Sequence, residues 1–125
     1  MVSMFTVTDE QFSQFVADAL DSLPADHRKA IKNVAVVYAD HPTEQQRVEL
    51  ELRNDQTLFG LYEGVPLARR NGVTSFGPDK ITIFKGPIEW ASEDEADLKE
   101  QVRHTVWHEV AHYFGLNHQQ IHELE

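Results

Sequence analysis

With 125 residues, 41% of them hydrophobic and 10% aromatic, the chain is long and apolar enough for one folded core, which argues against wholesale disorder and leaves little room for separate substrate and cofactor modules. A formal charge of −10 argues against nucleic acid and against an anionic membrane surface as partners. Cysteine is absent, so disulfides, thiol nucleophiles and cysteinyl zinc sites are excluded together, and any metal site must be built from His, Asp or Glu.

Met1 to Phe5 shows no basic start followed by an apolar stretch, so it does not read as a signal peptide, and the expected setting is cytoplasmic. Thr8-Asp9-Glu10-Gln11 is a helix start: Thr8 can cap, Gln11 follows three residues later, and the acids suit the positive end of the helix dipole. Phe12, Phe15, Val16, Ala19, Leu20 and Leu23 continue at helical spacing until Pro24, and this helix is expected to pack on a sheet. Residues 25–32 read as a short helical connector. Val34 to Ala39 is the longest apolar run, too short to cross a membrane, and reads as a buried strand. Residues 44–56 fit either a helix or a surface loop. Leu58 to Glu63 reads as a second strand, in which Gly60 signals a bulge or a close backbone approach. A Gly/Pro-rich connection over 64–79, carrying Arg69 and Arg70, precedes a third strand, Ile81 to Phe84, which Gly86-Pro87 ends.

Ser92-Glu93-Asp94-Glu95 reads as a capping box opening a long helix that runs to about Phe114. Its inward candidates are Leu98, Val102, Thr105, Val106, Val110 and Ala111, and Gly115 is placed to end it in the left-handed conformation. A short helix from about His118 to Leu124 follows. There is no internal repeat or linker, so residues 1–125 are expected to form a single domain.

Five of the seven histidines (His104, His108, His112, His118, His122) crowd into the last 22 residues. Within them, residues 108–118 spell H-E-x-x-H-x-x-G-x-x-H. On a helix His108 and His112 lie one turn apart and can reach one ion. Glu109 is placed to touch a water at that ion without ligating it. Gly115 permits a sharp turn that lets His118 return as a third ligand. Three imidazoles leave a fourth position open, the layout of a catalytic rather than a structural zinc site. At this chain's own residue frequencies the short H-E-x-x-H string arises by chance in roughly 4% of sequences, the full string in roughly 1 in 10,000, so the specificity lies in the added Gly and His.

The long string resembles the metzincin branch of zinc metallopeptidases. The stretches 61–67 (LYEGVPL), 81–88 (ITIFKGPI) and 102–112 (VRHTVWHEVAH) narrow the likeness to a small bacterial zincin-like metallopeptidase-related family, long known as a domain of unknown function. That resemblance covers most of the chain. It implies a compact α+β zincin-like domain, a small mixed β-sheet packed on helices with a long C-terminal active-site helix. It also implies a metal site at His108, His112 and position 118, with Glu109 as the catalytic acid/base. Many members of the family carry Asp at the position filled here by His118. Metzincins also place a methionine turn beneath the metal, whereas methionine occurs here only at Met1 and Met4. Metal binding and peptide cleavage are therefore separate expectations.

Other residues are read more plainly. His104 is expected beside the site or under the sheet, and His122, His27 and His41 at the surface. Tyr62 is read as a half-buried strand tyrosine, with donation to an oxyanion as its alternative role. Arg69 and Arg70 are read as a solvated loop, with substrate carboxylate binding as the alternative. Trp90 and Trp107 are read as packing residues, Glu63 and Glu89 as surface acids. The functional expectation is a Zn²⁺-dependent hydrolase of a peptide or protein substrate, with Glu109 as general base. The alternative is a metal-binding scaffold or regulatory protein with a zincin fold and little peptidase activity.

Overall fold

The computed structural model describes residues 6–31, 34–64 and 79–115. In chain order these form helices α1 (Asp9–Asp21) and α2 (Ala25–Ala30), strand β1 (Val34–Ala39), helix α3 (Glu44–Glu49), strands β2 (Gly60–Glu63) and β3 (Asp79–Phe84), and helices α4 (Lys85–Ala91) and α5 (Glu95–Tyr113). The sheet order is β1-β3-β2. β1 runs parallel to β3, with Val34 opposite Asp79 and Ala39 opposite Phe84. β2 runs antiparallel to β3, with Gly60 opposite Ile83 and Glu63 opposite Lys80. The expected α+β class with a mixed sheet is thus what the chain adopts.

α1 begins as its sequence dictates. The Thr8 hydroxyl accepts from the Gln11 N–H at 3.1 Å while the Gln11 side chain accepts from the Thr8 N–H at 2.8 Å. Phe12, Phe15, Val16 and Ala19 are buried along one stripe. That stripe lies chiefly along α5 rather than on the sheet, so the first helix closes a helical layer. Ile81 and Ile83 of β3 meet Leu98, Val102, Val106 and Val110 of α5 and Phe12 of α1 in one core. Ile88 of α4 joins them.

Four local expectations change. Among the described residues β1 is an edge strand, not a buried one: β3 is its one neighbour in the sheet, and Ala35, Val37 and Tyr38 are exposed. Gly86-Pro87 does not end regular structure. It opens α4, where proline in the first turn loses no helical hydrogen bond, since the N–H it lacks has no partner there anyway. Ser92 does not cap α5; its hydroxyl donates back to the Ile88 carbonyl at 2.6 Å at the end of α4. The cap is Asp94, whose carboxylate accepts from the Asp97 N–H at 2.8 Å, while Asp97 accepts from the Glu93 N–H at 3.0 Å. Asp94→Ala should therefore lower stability by about 1 kcal/mol, read as a lower urea midpoint with an unchanged slope, whereas Ser92→Ala should leave the start of α5 unaltered. Finally, 44–56 divides into α3, capped by Thr43 and Gln46, and an irregular stretch.

Candidate metal centre

α5 is the element on which the site is built. Its buried stripe runs through Leu98, Val102, Thr105, Val106, Glu109, Val110 and Tyr113. Ala111, expected inside, is half-buried, and Glu109 takes an interior place instead. The helix ends at Tyr113, and Gly115 follows at φ 83°, donating to the His112 carbonyl at 2.9 Å. This is the left-handed glycine stop that the sequence calls for.

The helical spacing brings His108 and His112 to one side, with ring centroids 4.7 Å apart. Ligand-capable atoms of His108, Glu109 and His112 all lie within 4.8 Å of one another. Both imidazoles are half-buried. Among the described residues, neither lysine nor arginine lines the groove beside them. Two nitrogen donors and a carboxylate so close together suit a divalent transition metal.

Glu109 is only 7% exposed. Its carboxyl is pushed up to about 7, first by burial, which penalises the charged form; a hydrogen bond from the backbone N–H of Tyr62 pulls the other way. The sheet makes this bond possible. Phe59 accepts from the Phe84 N–H at 2.8 Å, so the alternation of an antiparallel ladder turns the backbone groups of Gly60 and Tyr62 to the outer edge, toward α5. Gly60 allows the approach. A Cβ there would stand 2.6 Å from the Thr105 methyl and 3.1 Å from Cγ of Glu109. The close backbone approach expected of Gly60 is therefore an approach to the site itself. Gly60→Ala should cost about 1–3 kcal/mol through overpacking, measured by chemical denaturation, because Thr105 is β-branched and cannot swing aside cheaply.

An open groove of about 440 Å³ passes the centre, lined by Thr57 to Gly60 on one side and by His104, Thr105, His108 and Glu109 on the other. His104 thus lies beside the site, exposed, one turn before His108. Tyr62 packs edge-on against Tyr113 at 5.8 Å. Its hydroxyl is buried near Gly64 and Asp79. His118, His122, Arg69 and Arg70 lie outside the described residues. Three assignments are corrected. Trp90 is 69% exposed rather than packed. Glu89 is a mostly covered carboxylate that accepts from the Val7 N–H at 2.8 Å. His27 is half-buried against Trp107 and Phe114. The anchoring of Glu109 by Tyr62 and the groove wall at 57–60 were not read from the sequence; Gly60 is the one signal that pointed there.

A family model of zincin-like metallopeptidases matches residues 31–125, taking in β1 through α5 and the whole histidine string, and the chain belongs to that family. A conserved hypothetical protein from T. thermophilus shares the fold, with a TM-score of 0.59 and 20% identity over 86% of this chain and 94% of that one. No curated protein matches the chain. Among the described residues, no helix is long and apolar enough to cross a membrane.

Proposed function

We propose that the chain is a zinc-dependent peptidase in which His108, His112 and His118 hold the ion and Glu109 serves as general base. The observation that carries this reading is the juxtaposition of His108 and His112 with a buried carboxyl poised near neutrality. When bound, zinc supplies Lewis acidity that polarises a carbonyl and acidifies water. The chain's own residues do the rest. Glu109 takes a proton from the attacking water and passes it to the leaving amine. Its bond from Tyr62 fixes where that proton is received. A peptide substrate lies in the groove between the 57–60 wall and His104, Thr105 and His108 of α5. His118 enters by the spacing of the string, three residues beyond Gly115. The substrate is a peptide or protein; the net charge of −10 supports neither nucleic acid nor an anionic membrane as partner. A cysteine-free composition suits a reducing cytoplasm.

The test is metal analysis joined to peptide profiling. Purified protein should carry one zinc per chain. It should cleave a mixed peptide library, lose that activity to a chelator and regain it with zinc. Zinc-loaded protein that leaves every peptide intact would overturn the proposal.

A further inference from the structure

A second concavity lies beyond the groove wall. It measures about 360 Å³ and shares Thr57 with the catalytic groove, so the two are neighbouring hollows on either side of one residue. Its other lining residues include His41, Pro87, Glu89 and Trp90. Gly86 makes room for it: a Cβ there would meet the His41 ring at 2.4 Å, so only glycine lets that imidazole lie on the first turn of α4. Trp90 stands at the margin, 69% exposed. An indole left in water beside a concave wall gains free energy when an apolar group covers it.

The chemistry of the pocket selects its occupant. Its one carboxylate, Glu89, is already engaged, accepting from the Val7 N–H at 2.8 Å and lying 3.9 Å from Lys85 Nζ. Among the described lining residues no other carboxylate is left to demand a cation. The rest of the described wall is Pro87, Trp90 and His41 with Gly86 and two threonines, dominated by flat and apolar surface, which favours an apolar, flat group. The volume is near the lower end of the roughly 300–1,000 Å³ of ligand pockets, enough for one large side chain.

We propose that the Trp90 pocket is a specificity subsite that takes an apolar, preferably aromatic, side chain of the peptide occupying the catalytic groove. This rests on the peptidase reading, since the pocket matters to turnover only if a peptide lies in the groove. Trp90 is a positioning residue for substrate, not a catalytic one.

Two measurements test it. In the first, cleavage sites in a peptide library are mapped for wild type, Trp90→Ala and Trp90→Phe, all zinc-loaded. Wild type should favour an aromatic or large aliphatic residue at one fixed distance from the cut. Trp90→Ala should lower kcat/KM for such peptides by about 10- to 100-fold, leaving their alanine analogues unaffected, and Trp90→Phe should restore most of the preference. An unchanged preference in Trp90→Ala overturns the proposal. In the second, the indole N–H signals of Trp90 and Trp107, the only two tryptophans, are followed during titration with N-acetyl-phenylalaninamide or N-acetyl-alaninamide. The phenylalanine probe should move Trp90 alone and the alanine probe neither. If both indoles move alike, or neither moves, the pocket does not bind as proposed. Should wild type cleave nothing while Trp90 responds, the peptidase reading falls and the pocket's ligand class stands.

Discussion

Glu109→Gln should lower peptide turnover by about 10²- to 10⁴-fold and leave the zinc content unchanged. The carboxamide matches the carboxylate in shape, and its carbonyl oxygen can still accept from the Tyr62 N–H, so the interior position is kept. What disappears is the ability to receive a proton. The carboxyl near 7 is well placed for that task, since a base works best when its affinity for the proton lies near the operating pH. His112→Ala provides the contrasting loss: it removes a ligand and should lower turnover and zinc content together. Metal analysis and kinetics on the same preparations separate the two. A Gln variant as active as the parent would exclude Glu109 as the base.

The same burial leaves a thermodynamic mark on the metal-free protein. An ordinary glutamate titrates near 4.5, and Glu109 in the fold near 7. Below pH 4.5 the group is protonated in both folded and unfolded chains and costs nothing. As pH rises toward 7 the unfolded chain loses its proton first, so stability falls, and above the folded value the penalty is constant at about 3 kcal/mol. Glu109→Gln has no such proton to lose. Stripped of metal, it should match wild type near pH 4.5 and exceed it by up to about 3 kcal/mol at pH 8, measured by urea denaturation at each pH. Taking the difference between the two proteins cancels the titration of the histidines. Parallel pH profiles would show that the carboxyl is not desolvated. Zinc should narrow the gap, because a cation beside the carboxylate favours its charged form.

How much of this was legible differs by element. The histidine string, the long helix and its glycine stop depend on short-range spacing, and a helix turns spacing directly into position. α1 was equally plain, since Thr8, Gln11 and the apolar stripe all point the same way. β1 misled because an apolar run has no label for depth: Val34 to Ala39 looks interior, yet its place at the edge of the sheet depends on β3, far along the chain. Ser92 misled because two capping patterns overlap, and the turn of α4 claimed its hydroxyl before α5 could. For 44–56 the composition allows either helix or loop, and the cap that decides it is in the sequence: Thr43 and Gln46 form the same reciprocal cap as Thr8 and Gln11. Within the site, the ligand spacing was readable and the anchoring of Glu109 was not. That anchoring joins a backbone N–H on one element to a carboxylate on another, and the single trace of it in the sequence is Gly60, which permits the approach without naming the partner.

β3, the centre of the sheet, also decides the order in which the protein can assemble. Its partners in β1 stand 45 positions earlier in the chain, at Val34 opposite Asp79. Pairings over such spans close large loops and form slowly, whereas a helix with its own cap can begin from neighbours alone. The segment bearing His108 and His112 therefore has the means to gather an ion while the sheet is still open. Glu109 cannot be shielded until β2 has reached α5, where Gly60 lies against Thr105 and Glu109. In the proposed centre, capturing the metal and shielding the base are therefore separate events in the life of a new chain, and the second waits for β2 to dock on α5.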